Sequence, residues 1–253
     1  MRRLFDRVGR RLVLTETGHL VYRYADEIFS LGNELIDTLK GQPAGKPQRL
    51  KVGVADVVPK LIVYHLLEPA LKLSEPVRLI CSEGKPNSLM AQLSLHELDV
   101  VLSDNPISSE IGVRAFSHSL GECNVTVLGS ESLAKKYRQQ FPESLNGAPM
   151  LFSTRSTALR KSLDYWFDSK QIYPVVKAEF DDTALLKVFG QIGLGLIPVP
   201  SVIAKDVQRR YGVHYVGRLP EVKERFFAIS LERRVKHPAV VAILEGARES
   251  FFK

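Results

Sequence analysis

Oxygen-bearing side chains follow several apolar runs of the sequence, at points where buried strands are expected to end. LKVGVA precedes Asp56, and LDVVL precedes Ser103 and Asp104. Carboxylates and hydroxyls bind polar small molecules, and they are also the ligands that hard cations prefer. We expect the first half of a ligand site at these strand ends, formed by Asp56, Val57, Ser82, Glu83, Ser103 and Asp104.

A second group of candidate residues lies further along the chain. Ser153, Thr154 and Arg155 follow the apolar run PMLF, and Gly193 begins the turn GLG. An arginine at such a position could bind a ligand carboxylate through two parallel hydrogen bonds. The alternative for Arg155 is a solvated cation in a loop.

Each aspartate has a structural alternative. Asp104 precedes Asn105 and Pro106, and it could be a turn residue. Asp56 could be a loop aspartate near the start of a helix. For Asp181 and Asp182, which precede a helical pattern, capping is the favoured interpretation.

No pattern for catalysis or a structural metal stands out. The six histidines lack ligand spacing, and Cys81 and Cys123 are far apart, as expected for two buried free thiols. The chain contains no G-x-S-x-G, no P-loop and no complete dinucleotide fingerprint. We therefore predict no enzyme activity and no cofactor.

Strand-like and helix-like runs alternate from about residue 49 onward, which favours an α/β fold with parallel strands. We predict two lobes: lobe I from about 49–122 and 222–253, and lobe II from about 123–221. Val113–Phe116 and Asn124–Leu128 are predicted as separate strands, as are Val213–Val216 and Phe226–Leu231. Two chain crossings between lobes would form a hinge, and the cleft between lobes would bind the ligand.

The N-terminal part differs in composition. The net charge of the chain is +7, and residues 1–23 hold six arginines against two acidic residues. Residues 1–15 resemble a short hairpin with Gly9 at its turn. Residues 16–40 predict one long helix, with Thr15 as N-cap. Residues 41–48 form a Pro/Gly-rich linker.

The long helix has an apolar seam at intervals of three and four residues, which indicates pairing with a second copy of the chain. The alternative is packing of this face onto its own domain. The seam consists of Leu20, Tyr24, Ile28, Leu31, Leu35 and Leu39.

These stretches resemble the LysR-type transcriptional regulators. LFDRVGRRLVLTETG is similar to the wing of their winged helix-turn-helix, and LDVVLSD, GLGLIPVP and HPAV match recurring signatures. The resemblance covers almost the whole chain. It implies a dimerising linker helix followed by an effector-binding domain with a periplasmic-binding-protein-like architecture, and it implies effector contacts after the first strand and at the start of the second lobe.

LVYRYADEIF, VGVADVVPK and EFDDTALLKVFG resemble one branch of the family. Its regulators activate a sodium/proton antiporter gene, so the resemblance implies sodium or lithium as the effector. The helices that precede the wing in the family are absent from this sequence. Arg7, Arg10 and Arg11 could touch DNA phosphates. Without a recognition helix, we expect no specific operator binding by residues 1–253 alone.

The resemblance also sets the expected partners: DNA for the full-length regulator, a small effector, and a second copy of the chain. No apolar run is long enough for a membrane helix, and no signal peptide is recognisable, which favours the cytoplasm. A solute-binding protein of a transport system is the alternative function, because it would share the lobed fold.

Overall fold

A computed structural model describes residues 3–9, 11–39, 48–107, 115–155, 157–233 and 235–252. It begins with a hairpin of strands β1 (Phe5–Val8) and β2 (Arg11–Leu14), followed by helix α1 (Glu16–Leu39). Gly9 has φ +64° at the hairpin turn. Thr15 caps α1, because its Oγ1 accepts a hydrogen bond from the Gly18 N–H at 2.9 Å. The predicted hairpin, cap and helix are thus present.

The remaining elements alternate as predicted. The strands are β3 (Gln48–Ala55), β4 (Val77–Gly84), β5 (Val100–Ser103), β6 (Phe116–Gly129), β7 (Pro149–Ser153), β8 (Val175–Phe180), β9 (Ile197–Pro200) and β10 (His214–Ser230). The helices are α2 (Lys60–Leu71), α3 (Pro86–Ser94), α4 (Glu131–Tyr137), α5 (Ala158–Lys170), α6 (Thr183–Gln191), α7 (Ala204–Tyr211) and α8 (Pro238–Gly246).

One curled sheet extends through both lobes, in the order β4-β3-β5-β10-β6-β9. β3 pairs in parallel with β4 and β5, as expected for right-handed β-α-β units. β10 is antiparallel to both β5 and β6. In the second lobe β7 and β8 form a parallel pair, and a bridge between Met150 and Leu196 connects β7 to the chain just before β9.

The predictions for β6 and β10 were wrong, because each of these continuous strands was predicted as two separate strands. Phe116 begins a continuous strand, β6, that includes Asn124–Leu128, and His214–Ser230 is continuous as β10. The pairing of β6 with β10 contains register shifts, the widest between Leu219 and Lys223. Polar residues and glycines in the middle of both strands suggested loops, but an antiparallel partner satisfies the backbone there. These two strands are the chain crossings between the lobes.

The core consists of two hydrophobic clusters. One fills the first lobe around the strands β3 and β5 and the helices α2, α3 and α8, and it continues to Val199 and Val207. The other lies in the second lobe among α4, α5 and β7, and it includes Trp166 and Phe167. The α/β architecture with two lobes follows from this arrangement.

Several boundaries differ from the predictions. β4 continues to Gly84, so Ser82 and Glu83 belong to a strand and not to a loop. Cys81 on this edge strand is exposed, whereas Cys123 is buried, and both are free. Helix α7 was not predicted, because its composition is strongly polar. The linker at 41–47 and residues 113–114 lie outside the described residues.

Candidate functional site

The residues after β3, β5 and β7 meet β9, β10 and the first turns of α5 and α6 in a narrow cleft. The cleft encloses about 20 Å³, measured as the space that the centre of a water molecule can occupy. It is lined by Val57, Pro59, Asp104, Ser153, Thr157, Leu159, Thr183, Leu186, Lys187, Pro198, Val199, Pro200 and Glu224.

Asp104 connects the two lobes across this cleft. It follows β5 of the first lobe, and its Oδ2 accepts a hydrogen bond at 3.2 Å from the N–H of Ala158, the first residue of α5. Its Oδ1 accepts from Asn105 Nδ2 at 3.0 Å. Burial raises the pKa of Asp104, although these hydrogen bonds act in the opposite direction. The Oγ of Ser103 accepts a hydrogen bond from the Asn105 N–H at 3.1 Å.

Glu224 is the most deeply buried acidic group of the cleft. It lies on β10 between the buried residues Val222 and Phe226, and its Oε2 has no hydrogen-bond partner among the described residues. Burial, together with the charge of Asp104 and against the opposing charge of Lys187, raises the pKa of Glu224 to about 8. A buried carboxyl oxygen without a partner is costly, so it requires a proton or a ligand.

Lys187 provides the positive charge of the cleft. It lies on α6, it is buried, and its Nζ donates to the carbonyl of Thr183 at 2.9 Å. Burial lowers the pKa of Lys187 to about 8, while Asp182 and Glu224 counteract this shift. Glu224 thus interacts electrostatically with both Asp104 and Lys187 in one desolvated space.

Asp56 lies beside the cleft. Its Oδ2 pairs with Lys85 Nζ at 2.9 Å, and its buried Oδ1 has no partner among the described residues. The side chain is partly exposed, and its charge raises the pKa of Asp104. Asp56 therefore adds negative potential to the cleft without lining it.

A buried arginine holds the end of β7. Arg160 on α5 donates to the Ser153 carbonyl at 3.2 Å and to Asp164 at 2.7 Å, and it also pairs with Glu179. Its guanidinium lies over the Phe152 ring at 4.7 Å. This network fixes the strand end at which Ser153 enters the cleft.

The structure brings three of the predicted residues, Val57, Asp104 and Ser153, together in the cleft lining. Thr154 lies next to it and donates to Asp181 at 2.6 Å. Asp182 caps α6 by accepting from the Ala184 N–H at 2.7 Å, as the sequence favoured.

The other predicted residues lie elsewhere. Glu83 forms an ion pair with Lys60. Ser82 and Glu83 both lie on β4, and neither lines the cleft. Gly193 turns with φ +82° beside Ser130. Arg155 is exposed and forms no hydrogen bond or ion pair with another described residue.

Glu224 and Lys187 were missed by the sequence analysis. Both carried a signal: Glu224 occupies an inward position in the alternating run Val222, Glu224, Phe226, and Lys187 follows Leu186 on the buried face of α6. A charged residue at an inward position is rarely buried without a partner, so such positions indicate a site.

The N-terminal candidates are described only in part. Arg7 is exposed on β1, whereas Arg10 and the side chain of Arg11 lie outside the described residues. On α1 the side chains of Leu20, Tyr24 and Ile28 are exposed. The side chains of Leu31, Leu35 and Leu39 also lie outside the described part.

Membrane-spanning helices and metal-ligand clusters are both absent from the described residues. No helix among them is long and apolar enough to cross a membrane. Within the same residues, no three or more His, Cys, Asp and Glu side chains are grouped in a way that could hold a metal ion.

Comparisons with known proteins agree with this fold. Residues 43–251 match the family model described as LysR substrate binding domain. The chain is 36% identical over 250 residues to the transcriptional activator protein NhaR of Escherichia coli (strain K12). The aligned region covers 99% of this chain and 82% of that protein. The same values hold for NhaR of Shigella flexneri. The likeness predicted from LVYRYADEIF and the two related stretches was to the NhaR branch, and it is confirmed.

Solved structures show the same fold at low identity. CbnR, a LysR family transcriptional regulator, aligns with a TM-score of 0.66 at 17% identity, over 97% of this chain and 84% of CbnR. The effector binding domain of QuiR in complex with shikimate aligns with a TM-score of 0.60 at 16% identity, over 81% of this chain and 98% of QuiR. The family model and the NhaR relatives support a transcriptional regulator and do not favour a solute-binding protein of a transport system. The chain therefore belongs to the LysR family of transcriptional regulators, and it carries the ligand-sensing domain of a transcriptional activator.

Proposed function

We propose that the effector sensed by this domain is a small hard cation, sodium or lithium, held in the cleft by Asp104 and Glu224. The observation that carries the proposal is the buried Oε2 of Glu224, which lacks a partner among the described residues and belongs to a side chain that lines the cleft. The resemblance carried by LVYRYADEIF, VGVADVVPK and EFDDTALLKVFG implies the same effector.

The size of the cleft supports an ion over an organic molecule. Its volume of about 20 Å³ is close to the roughly 10–15 Å³ that one water molecule requires on the same measure. A bare or singly hydrated ion is of this size. An organic effector would need the lobes to separate before it could enter.

The chemistry of the lining supports a hard cation. Asp104 and Glu224 provide carboxylate oxygens, and Ser153, Thr157 and Thr183 provide hydroxyls. Oxygen is the preferred ligand of hard cations, and one or two carboxylates among neutral oxygens suit a single positive charge. When both carboxylates are ionised, Lys187 balances one of them, and a monovalent cation balances the other.

A cation bound at Asp104 would affect the connection between the two lobes. Asp104 already accepts the Ala158 N–H from the opposite lobe, so a cation on its carboxylate acts directly on the connection between lobes. A ligand shifts an equilibrium between open and closed lobes only by its difference in affinity for the two states. The carboxylate shared by the cation and the interlobe hydrogen bond supplies such a difference.

The wider function follows from the family. We propose that the full-length regulator binds DNA, that the α1 helices of two chains pair through their apolar seam, and that the protein acts in the cytoplasm without catalysing a reaction. The exposed Tyr24 and Ile28 support the pairing, and the exposed Arg7 on the hairpin supports contact with phosphates.

Thermal unfolding in sodium, lithium and potassium chloride at equal ionic strength tests the effector. A ligand that binds only the folded state raises its apparent stability. We expect sodium and lithium to raise the melting temperature above the potassium value in the wild type, but not in Glu224→Gln. Glu245→Gln, on the exposed face of α8, is the matched control and should respond like the wild type. Equal melting temperatures in all three salts would overturn the proposal, and stabilisation by a small organic anion alone would replace it.

A further inference from the structure

A second, larger cavity lies between α2, α6 and α7, and it is here called the rear pocket. Its volume is about 230 Å³ on the measure that gives about 20 Å³ for the cleft, so it has room for an organic molecule. Asp104 and Glu224 do not line it. The two cavities share one residue, Lys187.

Positive charge dominates the rear pocket. Lys60, Lys187 and Arg210 line it, and no acidic residue does. Glu83 pairs with Lys60 and offsets one of the three charges. Arg210 has no ion-pair partner among the described residues. The buried ammonium of Lys187 donates only to the Thr183 carbonyl among them, which leaves it with unused hydrogen-bonding capacity.

The acidic residues near the pocket are engaged elsewhere. Asp206, on the same helix as Arg210, pairs with Arg209 at 2.6 Å and lies 3.4 Å from His65. Glu68 accepts from the Tyr64 hydroxyl at 3.1 Å and pairs with Lys72 at 3.0 Å. The surplus positive charge of the rear pocket is therefore not neutralised by these neighbours.

Aromatic side chains flank the charges. Tyr64 on α2 and Tyr211 at the end of α7 line the pocket, together with the apolar Leu61. An arrangement of a few converging cations beside aromatic and aliphatic walls suits a ligand that has an anionic group and a small apolar body.

We infer that the rear pocket binds a small organic anion, bearing a carboxylate or phosphate group that contacts Arg210, Lys60 and Lys187 while its apolar body lies between Tyr64 and Tyr211. This inference goes beyond cation sensing and does not depend on it. The shared Lys187 connects the two sites, because an anion that attracts its ammonium toward the rear pocket leaves Glu224 less neutralised.

Calorimetric titration with phenyl phosphate, benzoate and inorganic phosphate tests the inference. The buffer contains potassium as its only alkali cation, so that the result is independent of sodium or lithium binding. We expect saturable binding of phenyl phosphate or benzoate, at least tenfold tighter than inorganic phosphate. Arg210→Met and Lys60→Met should each weaken it tenfold or more.

Lys205→Met is the matched control, because Lys205 is an exposed cation on the same helix as Arg210, does not line the pocket and has no ion-pair partner among the described residues. It should bind like the wild type. The inference is overturned if none of the three anions binds saturably, or if Lys205→Met weakens binding as much as Arg210→Met. Far-ultraviolet circular dichroism of each variant shows that the fold is retained. Failure here leaves the sodium and lithium experiment unaffected, since Asp104 and Glu224 are unchanged.

Discussion

The carboxylate of Asp104 accepts a hydrogen bond from the N–H of Ala158 at 3.2 Å, which joins the end of β5 in the first lobe to the first turn of α5 in the second. The partners are 54 residues apart in sequence. The N-terminus of a helix favours a negative charge, so the contact combines a hydrogen bond with the helix dipole. A change at Asp104 therefore affects both the ligand site and the relation between the lobes.

Replacement of Asp104 should separate these two roles. Asp104→Asn keeps an acceptor for the Ala158 N–H and removes a buried charge, so we expect it to unfold within about 1 kcal/mol of the wild type in potassium buffer. Asp104→Ala leaves that N–H without its partner and should lose about 1–3 kcal/mol. Urea unfolding measures both variants. Equal losses of unfolding free energy in Asp104→Asn and Asp104→Ala would show that the hydrogen bond to Ala158 does not hold the lobes together.

Glu224 should make the stability of the domain depend on pH. Its pKa is about 8 in the fold and about 4.5 ordinarily. Below pH 4.5 both states hold the proton. Between pH 4.5 and 8 only the unfolded chain releases it, so the contribution of Glu224 to folding stability falls as pH rises, on the order of a few kcal/mol in total.

Glu224→Gln should lack this decline. Its stability relative to the wild type, from urea unfolding at a series of pH values without sodium or lithium, should increase from pH 4.5 to pH 8 and then level off. Glu245→Gln should follow the wild-type curve throughout. A constant difference between wild type and Glu224→Gln across this range would mean that the carboxyl is ionised in the fold.

Arg160 should be far more important for stability than an exposed cation in an equivalent pairing. Arg160→Met removes a buried guanidinium from the Ser153 carbonyl and from the partly exposed carboxylates of Asp164 and Glu179, and we expect a loss of about 1–3 kcal/mol. Lys135→Met breaks an exposed pair with Glu131 and should leave the stability nearly unchanged. Chemical unfolding compares them, and similar losses would contradict the role of Arg160 at the end of β7.

The seam of α1 can be tested with two tyrosines. Tyr22 is 61% exposed and Tyr24 is 60% exposed, but two helix positions place them on nearly opposite faces. Tyr24→Asp should shift the chain from dimer to monomer in sedimentation velocity, because a carboxylate in an apolar seam is desolvated. Tyr22→Asp should leave the dimer intact. If both variants are dimeric, the seam does not hold the chains together.

The fold was largely predictable because each lobe repeats local patterns. Alternating strands and helices, the Thr15 cap and the long uninterrupted helix are set by spacing within a few residues. The continuity of β6 and β10 was not predictable in this way. It depends on pairing between Cys123 and Glu224 and between their neighbours, which are about a hundred residues apart in sequence.

Only those site residues that lie at the ends of strands could be predicted from the sequence. Asp104 follows β5 and Ser153 ends β7, and both strand ends reach the cleft. Glu224 and Lys187 arrive from the middle of β10 and from α6, so their meeting depends on how the lobes pack. Their pKa shifts arise from desolvation, which is a property of the folded surroundings and is not encoded in any local spacing.

The most direct test of the central claim is sodium-23 NMR relaxation in the presence of the protein, with lithium and potassium as competitors. In the wild type we expect protein-dependent line broadening that lithium reverses and potassium does not at equal concentration. Glu224→Gln should abolish the broadening, and Glu245→Gln should retain it. Equal broadening in the wild type and Glu224→Gln, or equal competition by potassium, would contradict a sodium or lithium site in this cleft.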